Sequence, residues 1–201
     1  RAREMGGRIE TNAVVTDVEV SGGRVTAVTT PQERIETPVA VICAGPWSRR
    51  LFGSLGMEVP LETVRHQVVT LRRPEEEVPN HPIIGDVVND FSARPELGHL
   101  TLIGVGEDET AAPDDYNQGV DLKMAEDAMR RMIVRVPGMR DSLYRGGWSG
   151  LFTITPDWHP ILGKVPGIDG LYCAVGFSGH GFKLAPMVGV SMAEEIVDGG
   201  A

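Results

Sequence analysis

Twice the chain runs from a short apolar strand through a glycine turn into a helix, and this repeated unit most restricts what it can fold into. The first unit is Val39–Leu55, where the run VAVIC stops at Ala44-Gly45-Pro46; the second is Leu171–Val197, where LYCAV stops at Gly176–Gly181. A short continuous apolar run suits a strand buried on both faces. Pro46 fits the first turn of the helix expected at Trp47–Leu55, because its missing N–H would be unpaired there anyway. The second helix, Phe182–Val197, is mostly apolar, which predicts that it is largely buried.

Between these units the pattern changes. Arg8–Val20 reads as one or two strands, Ser21-Gly22-Gly23 as a hairpin turn, Arg24–Thr30 as the returning strand and Arg34–Thr37 as a short third one. Glu62–Arg72 is strand-like, and Ile83–Val88, Asp90–Arg94 and His99–Val105 read as an antiparallel meander. Glu107–Asp115 reads as an acidic loop. Asn117–Val136 is the clearest amphipathic helix, with Ala125, Ala128, Met129, Met132, Ile133 and Val136 on one face, ended by Pro137-Gly138. Tyr144–Thr155 reads as a strand, followed by a Pro- and Gly-rich stretch to Gly167. The fold expected is α+β: a mixed antiparallel sheet domain at 61–148, flanked by α/β pieces of one nucleotide-binding domain at 1–60 and 149–201. The chain opens without Met on what reads as a helix end, Arg1–Met5, closed by Gly6-Gly7. It therefore reads as part of something longer.

Composition removes some functions. The net charge is −9 and the pI near 5.0, so nucleic acid and anionic membrane are poor partners, since both reward a basic face. No apolar run approaches the length of a membrane span, and Arg1–Gly7 carries no signal peptide. A cytoplasmic protein is expected. Cys43 and Cys173 sit far apart in apolar runs and read as buried free thiols. None of the five histidines shares a metal-ligand spacing with another His or Cys, so no metal is expected. No GxSxG elbow supports a serine hydrolase.

The segment GFSGHGFK, Gly176–Lys183, carries the chemistry. The first N–H groups of a helix lack internal partners and the helix end carries partial positive charge, so such a turn can hold an anion or a dipole acceptor. Lys183 adds a full charge. A tight strand-to-helix turn with no ligand is the alternative. The turn is not a GxxxxGK[ST] phosphate loop, and no GxGxxG occurs in the chain.

GFSGHGFKLAPMVG closely resembles the C-terminal signature of the D-amino-acid oxidase-like flavoprotein family, on its sarcosine oxidase and dimethylglycine dehydrogenase branch. Three further segments agree in order: Asn12–Val18 with the Gly22-Gly23 hairpin, VAVICAGPW at Val39–Trp47, and GLFTITPDWHPILG at Gly150–Gly163. The resemblance implies FAD as cofactor and the C-terminal portion of an enzyme that oxidises a secondary or tertiary amino acid such as an N-methylglycine, by hydride transfer to flavin N5. On the same scaffold, oxidation of a 2-hydroxy acid or glycerol phosphate stays open, as does a folded but inactive fragment that holds no FAD.

By the same resemblance, Gly179, His180, Gly181 and Phe182 present backbone donors to the pyrimidine end of the flavin, and Lys183 meets the substrate carboxylate. Ala44, Gly45 and Trp47 match residues packed against FAD, and Val15 one whose backbone meets adenine. Thr155-Pro156-Asp157 matches a loop near the ring, where Asp157 is expected to fix the loop rather than to catalyse. Arg94-Pro95-Glu96 resembles a common family RPE and is read as turn chemistry. Gly150 stands where some monomeric relatives attach flavin through cysteine. Ile83–Val105 lacks the lysine with which oxidases activate oxygen. A dehydrogenase with a separate electron acceptor is therefore favoured over an oxidase, and the oligomeric state is left open.

Overall fold

The computed structural model describes residues 1–106 and 109–199. Along the chain come β1 (Asp17–Ser21), β2 (Arg24–Thr29), β3 (Arg34–Glu36), β4 (Ala40–Ile42) and α1 (Ser48–Ser54). Then follow β5 (Glu62–Arg72), β6 (Ile84–Asp86), β7 (Phe91–Glu96), β8 (Leu100–Val105), β9 (Glu109–Thr110), α2 (Leu122–Arg135) and β10 (Leu143–Ile154). The chain closes with β11 (Ile161–Lys164), β12 (Leu171–Val175) and α3 (Gly181–Asp198). Two compact units result, one of Arg1–Leu61 with Thr153–Ala201 and one of Glu62–Phe152.

The first unit holds two small sheets. β1, β2 and β3 form an antiparallel sheet in that order, β1 and β2 joined through Gly22-Gly23. Both glycines have positive φ, 59° and 77°, which a two-residue hairpin turn of this hand requires. The second sheet has the order β11-β12-β4, with β12 antiparallel to β11 and parallel to β4. Val18, Val25, Ile42, Leu51, Phe52, Leu61, Leu171 and Val175 share one core. Arg1–Gly7 closes as a helix end does: the Met5 amide donates to the Arg1 carbonyl at 3.0 Å, the Gly6 amide to that of Arg3 at 3.1 Å and the Gly7 amide to that of Ala2 at 2.9 Å, with Gly6 at φ 91°. Within Arg8–Val20 a single strand forms, β1 from Asp17. The strand β11 lies inside the stretch read as Pro- and Gly-rich connection; four residues with only Ile161 and Leu162 apolar give too little pattern to find it.

The second unit is an antiparallel sheet in the order β10-β5-β8-β7-β6, with β9 added to β5. The β6–β7–β8 meander is as the alternating pattern predicts. Glu107 and Asp108 of the acidic loop lie outside the described residues, and Glu109–Thr110 pairs with Val64–Arg65 on β5. The helix α2 lays Ala125, Ala128 and Met132 on Val69, Leu71, Phe91, Ile103 and Val105, with Met129, Ile133 and Val136 at the margin. Its start is held by the buried Arg65, whose Nη1 donates to Asp121 at 2.8 Å and Glu109 at 2.7 Å. Arg65 also donates from Nε to the Asn117 carbonyl at 2.7 Å and from Nη2 to that of Gly119 at 2.8 Å. Arg65 holds the Asp121 carboxyl below its usual range.

Two expectations of burial are overturned. In α3 only Met192 is buried, while Phe182 is 99% and Met187 66% exposed. In β4, Val41 is 39% exposed, so the strand is covered on one face rather than both.

Candidate functional site

The parallel pair β4 and β12 sets the geometry. Cys173 is registered with Ile42, so the two strands end together and their glycine turns emerge at one sheet edge. The edge outside the carboxyl ends of parallel strands is where α/β sheets hold ligands, because both following helices start there.

The turn after β12 is unusually constrained. Gly176, Ser178 and Gly179 have φ of 71°, 48° and 79°. Left-handed backbone costs a non-glycine residue roughly 1–2 kcal/mol, so Ser178 must be held by its surroundings, and it is. Its amide donates to the Thr153 carbonyl at 2.9 Å, its hydroxyl donates to the Gly176 carbonyl at 3.2 Å, and its Oγ accepts from the Thr155 amide at 3.3 Å. Thr155 and Ser178 are both buried. The Thr155 hydroxyl donates to the His159 carbonyl at 2.8 Å, and Asp157 accepts from the His159 amide at 3.1 Å. That backbone donor, first among the causes, lowers the Asp157 carboxyl from its ordinary value. Asp157 thus closes its own loop. The TPD segment and the glycine turn, far apart in sequence, are clamped into one structure.

The clamp fixes where α3 begins. The amide of His180 is used, donating to the Phe177 carbonyl at 2.8 Å. Gly181, Phe182 and Lys183 form the first helical turn, whose N–H groups have no partner inside the helix. Lys183 is exposed and makes no ion pair among the described residues. A cation and three helix-end donors therefore lie within one turn.

Three of the residues singled out by sequence, Val15, Ala44 and Trp47, line one cavity of about 430 Å³. Its other walls include Val14, Val28, Val41, Cys43 and Arg50. Gly45, at φ 49°, turns the chain between Ala44 and Trp47. The residues Gly179–Lys183 do not line this cavity; they stand beyond the neighbouring strand at the same edge. Cys43 is exposed there, which corrects the expectation of two buried thiols; Cys173 is buried, and both are free. Partial burial raises the pKa of both thiols. Sequence reading missed Ser178 and Arg50. The φ of Ser178 leaves no trace in residue type, and Arg50 is one of two adjacent arginines. No group of three or more His, Cys, Asp or Glu among the described residues could hold a metal. No described helix is long and apolar enough to cross a membrane.

The family model described as FAD dependent oxidoreductase (DAO) matches residues 1–195. The peroxisomal sarcosine oxidase of Mus musculus is 31% identical over 198 residues, covering 88% of this chain and 48% of that protein. The sarcosine oxidase subunit beta of Rhodobacter capsulatus is 29% identical over 196 residues, covering 98% and 46%. The chain spans about half the length of the relatives it matches. In fold it is similar to L-proline dehydrogenase from P. horikoshii, with a TM-score of 0.89 at 23% identity over 100% of this chain and 53% of that one. Glycine oxidase from Geobacillus kaustophilus gives 0.83 at 23% identity, over 100% and 52%. With a family model matching residues 1–195, nearly its whole length, the chain belongs to the DAO family of FAD dependent oxidoreductases.

Proposed function

We propose that this chain provides the flavin-holding turn and carboxylate-binding lysine of an enzyme that oxidises a secondary or tertiary amino acid, such as an N-methylglycine. The observation that carries this reading is the clamp between Thr153–Thr155 and Ser178, which fixes the start of α3 and Lys183 in a chain matched to the family along 1–195. Among the relatives, three are named sarcosine oxidase or a subunit of it, one 4-methylaminobutanoate oxidase and one glycine oxidase, and these names support the amine reading.

The residues present suit FAD. The cavity of about 430 Å³ is mainly aliphatic and aromatic, as a flat heterocycle requires, and holds Val15, Ala44 and Trp47. The donor set at the start of α3 suits an electron-rich ring edge. Bound FAD would supply two-electron oxidation of the carbon–nitrogen bond from amine to imine. The protein binds and orients. The amides of Gly181, Phe182 and Lys183, set by the turn through Gly179 and His180, offer fixed partial positive charge that costs no reorganisation. The Lys183 ammonium takes the substrate carboxylate. In this reading the unit of residues 1–61 and 153–201 serves the flavin, and the unit of 62–152 serves the substrate. A separate electron acceptor is supported by the absence of lysine from Ile83–Val105.

Titrating the purified protein with FAD, followed by the flavin visible band, tests the cofactor. Anaerobic mixing with N-methylglycine, N,N-dimethylglycine, lactate and glycerol 3-phosphate tests the substrate. Bleaching by the N-methylated amino acids is expected. Bleaching only by lactate or glycerol 3-phosphate would overturn the amine reading, and no uptake of FAD would overturn both.

A further inference from the structure

One end of the core in the second unit is polar. Just beyond β5, Arg73 is only 5% exposed, and its amide donates to the His99 carbonyl at 2.7 Å. Arg72 is registered with Leu100, so Arg73 stands opposite His99 and two residues on from the buried Leu71. Thr101 and His81, both buried, complete the group.

The hydrogen bonds inside this group leave the guanidinium half used. The Pro82 carbonyl can only accept, so His81 Nδ1, 2.7 Å away, donates to it. His81 Nε2 then accepts from the Thr101 hydroxyl at 2.8 Å, and the Thr101 oxygen accepts from Arg73 Nη1 at 3.2 Å. Nη1 also donates to the Leu100 carbonyl. Arg73 Nε is buried without a partner, and no carboxylate meets Arg73 among the described residues. Burial lowers its pKa with nothing to offset it. His99 Nδ1 is buried and unpartnered as well, although the side chain is 43% exposed and its Nε2 lies 3.9 Å from Glu75. A buried cation is ordinarily paired and hydrogen-bonded throughout. A water would satisfy these donors but leave the charge; an anion answers both.

We infer that the free Nε–Nη2 edge of Arg73, with the Nδ1 of His99, binds a compact oxyanion of the phosphate type at the margin of the second unit's core. That edge offers two parallel donors matched to two oxygens of such an ion, and the imidazole adds another from across the strand pair. This goes beyond the flavin reading and rests on the second unit alone.

The test is isothermal titration of the 201-residue protein with inorganic phosphate, at constant ionic strength and without added flavin. Saturable binding is expected. Arg73→Met should abolish it. Arg73→Lys keeps the charge but loses the planar edge, and His99→Asn tolerates the φ of 58° at that position while removing the imidazole. Each should weaken binding about tenfold, the loss of one charge-assisted contact. Arg130→Gln, on the exposed side of α2, should change nothing. Circular dichroism verifies each fold; Arg73→Lys and His99→Asn decide the matter even if Arg73→Met does not fold. No saturable binding, or binding at full strength in Arg73→Lys or His99→Asn, overturns the proposal. Because flavin is absent throughout, neither result bears on FAD uptake.

Discussion

Gly176 lies directly against Thr155: a methyl on Gly176 would come within 2.5 Å of Thr155 Cγ2 and 2.9 Å of Leu61 Cδ2. With φ at 71°, the position excludes side chains on two independent grounds. Gly176→Ala is therefore expected to destabilise the first unit by roughly 2–4 kcal/mol, combining left-handed strain with overpacking. The measurement is the denaturant midpoint. A midpoint equal to the native protein's would show that the turn does not hold the position described.

Ser178 tests the clamp from the other side. Ser178→Ala removes the acceptor for the Thr155 amide and the donor to the Gly176 carbonyl, at a cost of about 1–3 kcal/mol. Ser178→Gly loses the same bonds but relieves the backbone at φ 48°. It should be milder by about 1 kcal/mol. The order of the two variants in thermal unfolding separates the hydrogen-bond contribution from the backbone one.

Lys183 should matter for ligand and hardly for fold. It is exposed and makes no ion pair among the described residues, so Lys183→Met is expected to change stability by less than about 0.5 kcal/mol. In the flavin-loaded enzyme the same variant should raise KM for an amino-acid substrate far more than it changes kcat, since uniform binding is what it removes. A fall in kcat with unchanged KM would assign the lysine a different role.

Arg65 joins the strand β5 to the start of α2 through two carboxylates and two backbone carbonyls. Arg65→Leu takes one donor from each of these acceptors, while Asp121 keeps Gln67 and the Asn117 carbonyl keeps Ser149, and a loss of roughly 1–3 kcal/mol is expected. Arg65→Lys should rescue little, because an ammonium cannot span the planar set. Urea unfolding of the second unit, followed by Trp148 emission, reads both.

Asp86 gives the second unit an acid limit. Its carboxylate accepts from Arg135, from the Val88 and Asn89 amides at 3.1 and 3.0 Å and from Asn89 Nδ2 at 2.8 Å. The Arg135 contact first, then Asn89, holds its pKa well below the ordinary carboxylate range. A carboxyl whose pKa is lower folded than unfolded contributes stability fully above the unfolded value of about 4, and loses it as pH falls below that value. The urea midpoint should therefore drop between about pH 4 and pH 2. Asp86→Asn should be less stable at pH 7 and flatter across that window. An unchanged slope in the variant would remove Asp86 from the account.

Sequence by itself settled the elements whose pattern is local. The Gly22-Gly23 hairpin, the β6–β8 meander, the apolar face of α2 and the strand–turn–helix at 171–197 are fixed by residue spacing and by φ values that glycine supplies cheaply. Motif resemblance also carried the flavin family, through the segment around Thr155 and the turn at 176–183. What only the tertiary structure decided depends on neighbours from distant parts of the chain. Nothing in the sequence couples Ser178 to Thr153 and Thr155, or places Val15 beside Trp47 and Cys43. Burial belongs to the same class: α3 is apolar by composition, yet Phe182 and Met187 stand exposed. An apolar side chain is buried only where another surface packs on it, and that surface is specified by topology rather than by the helix's own residues.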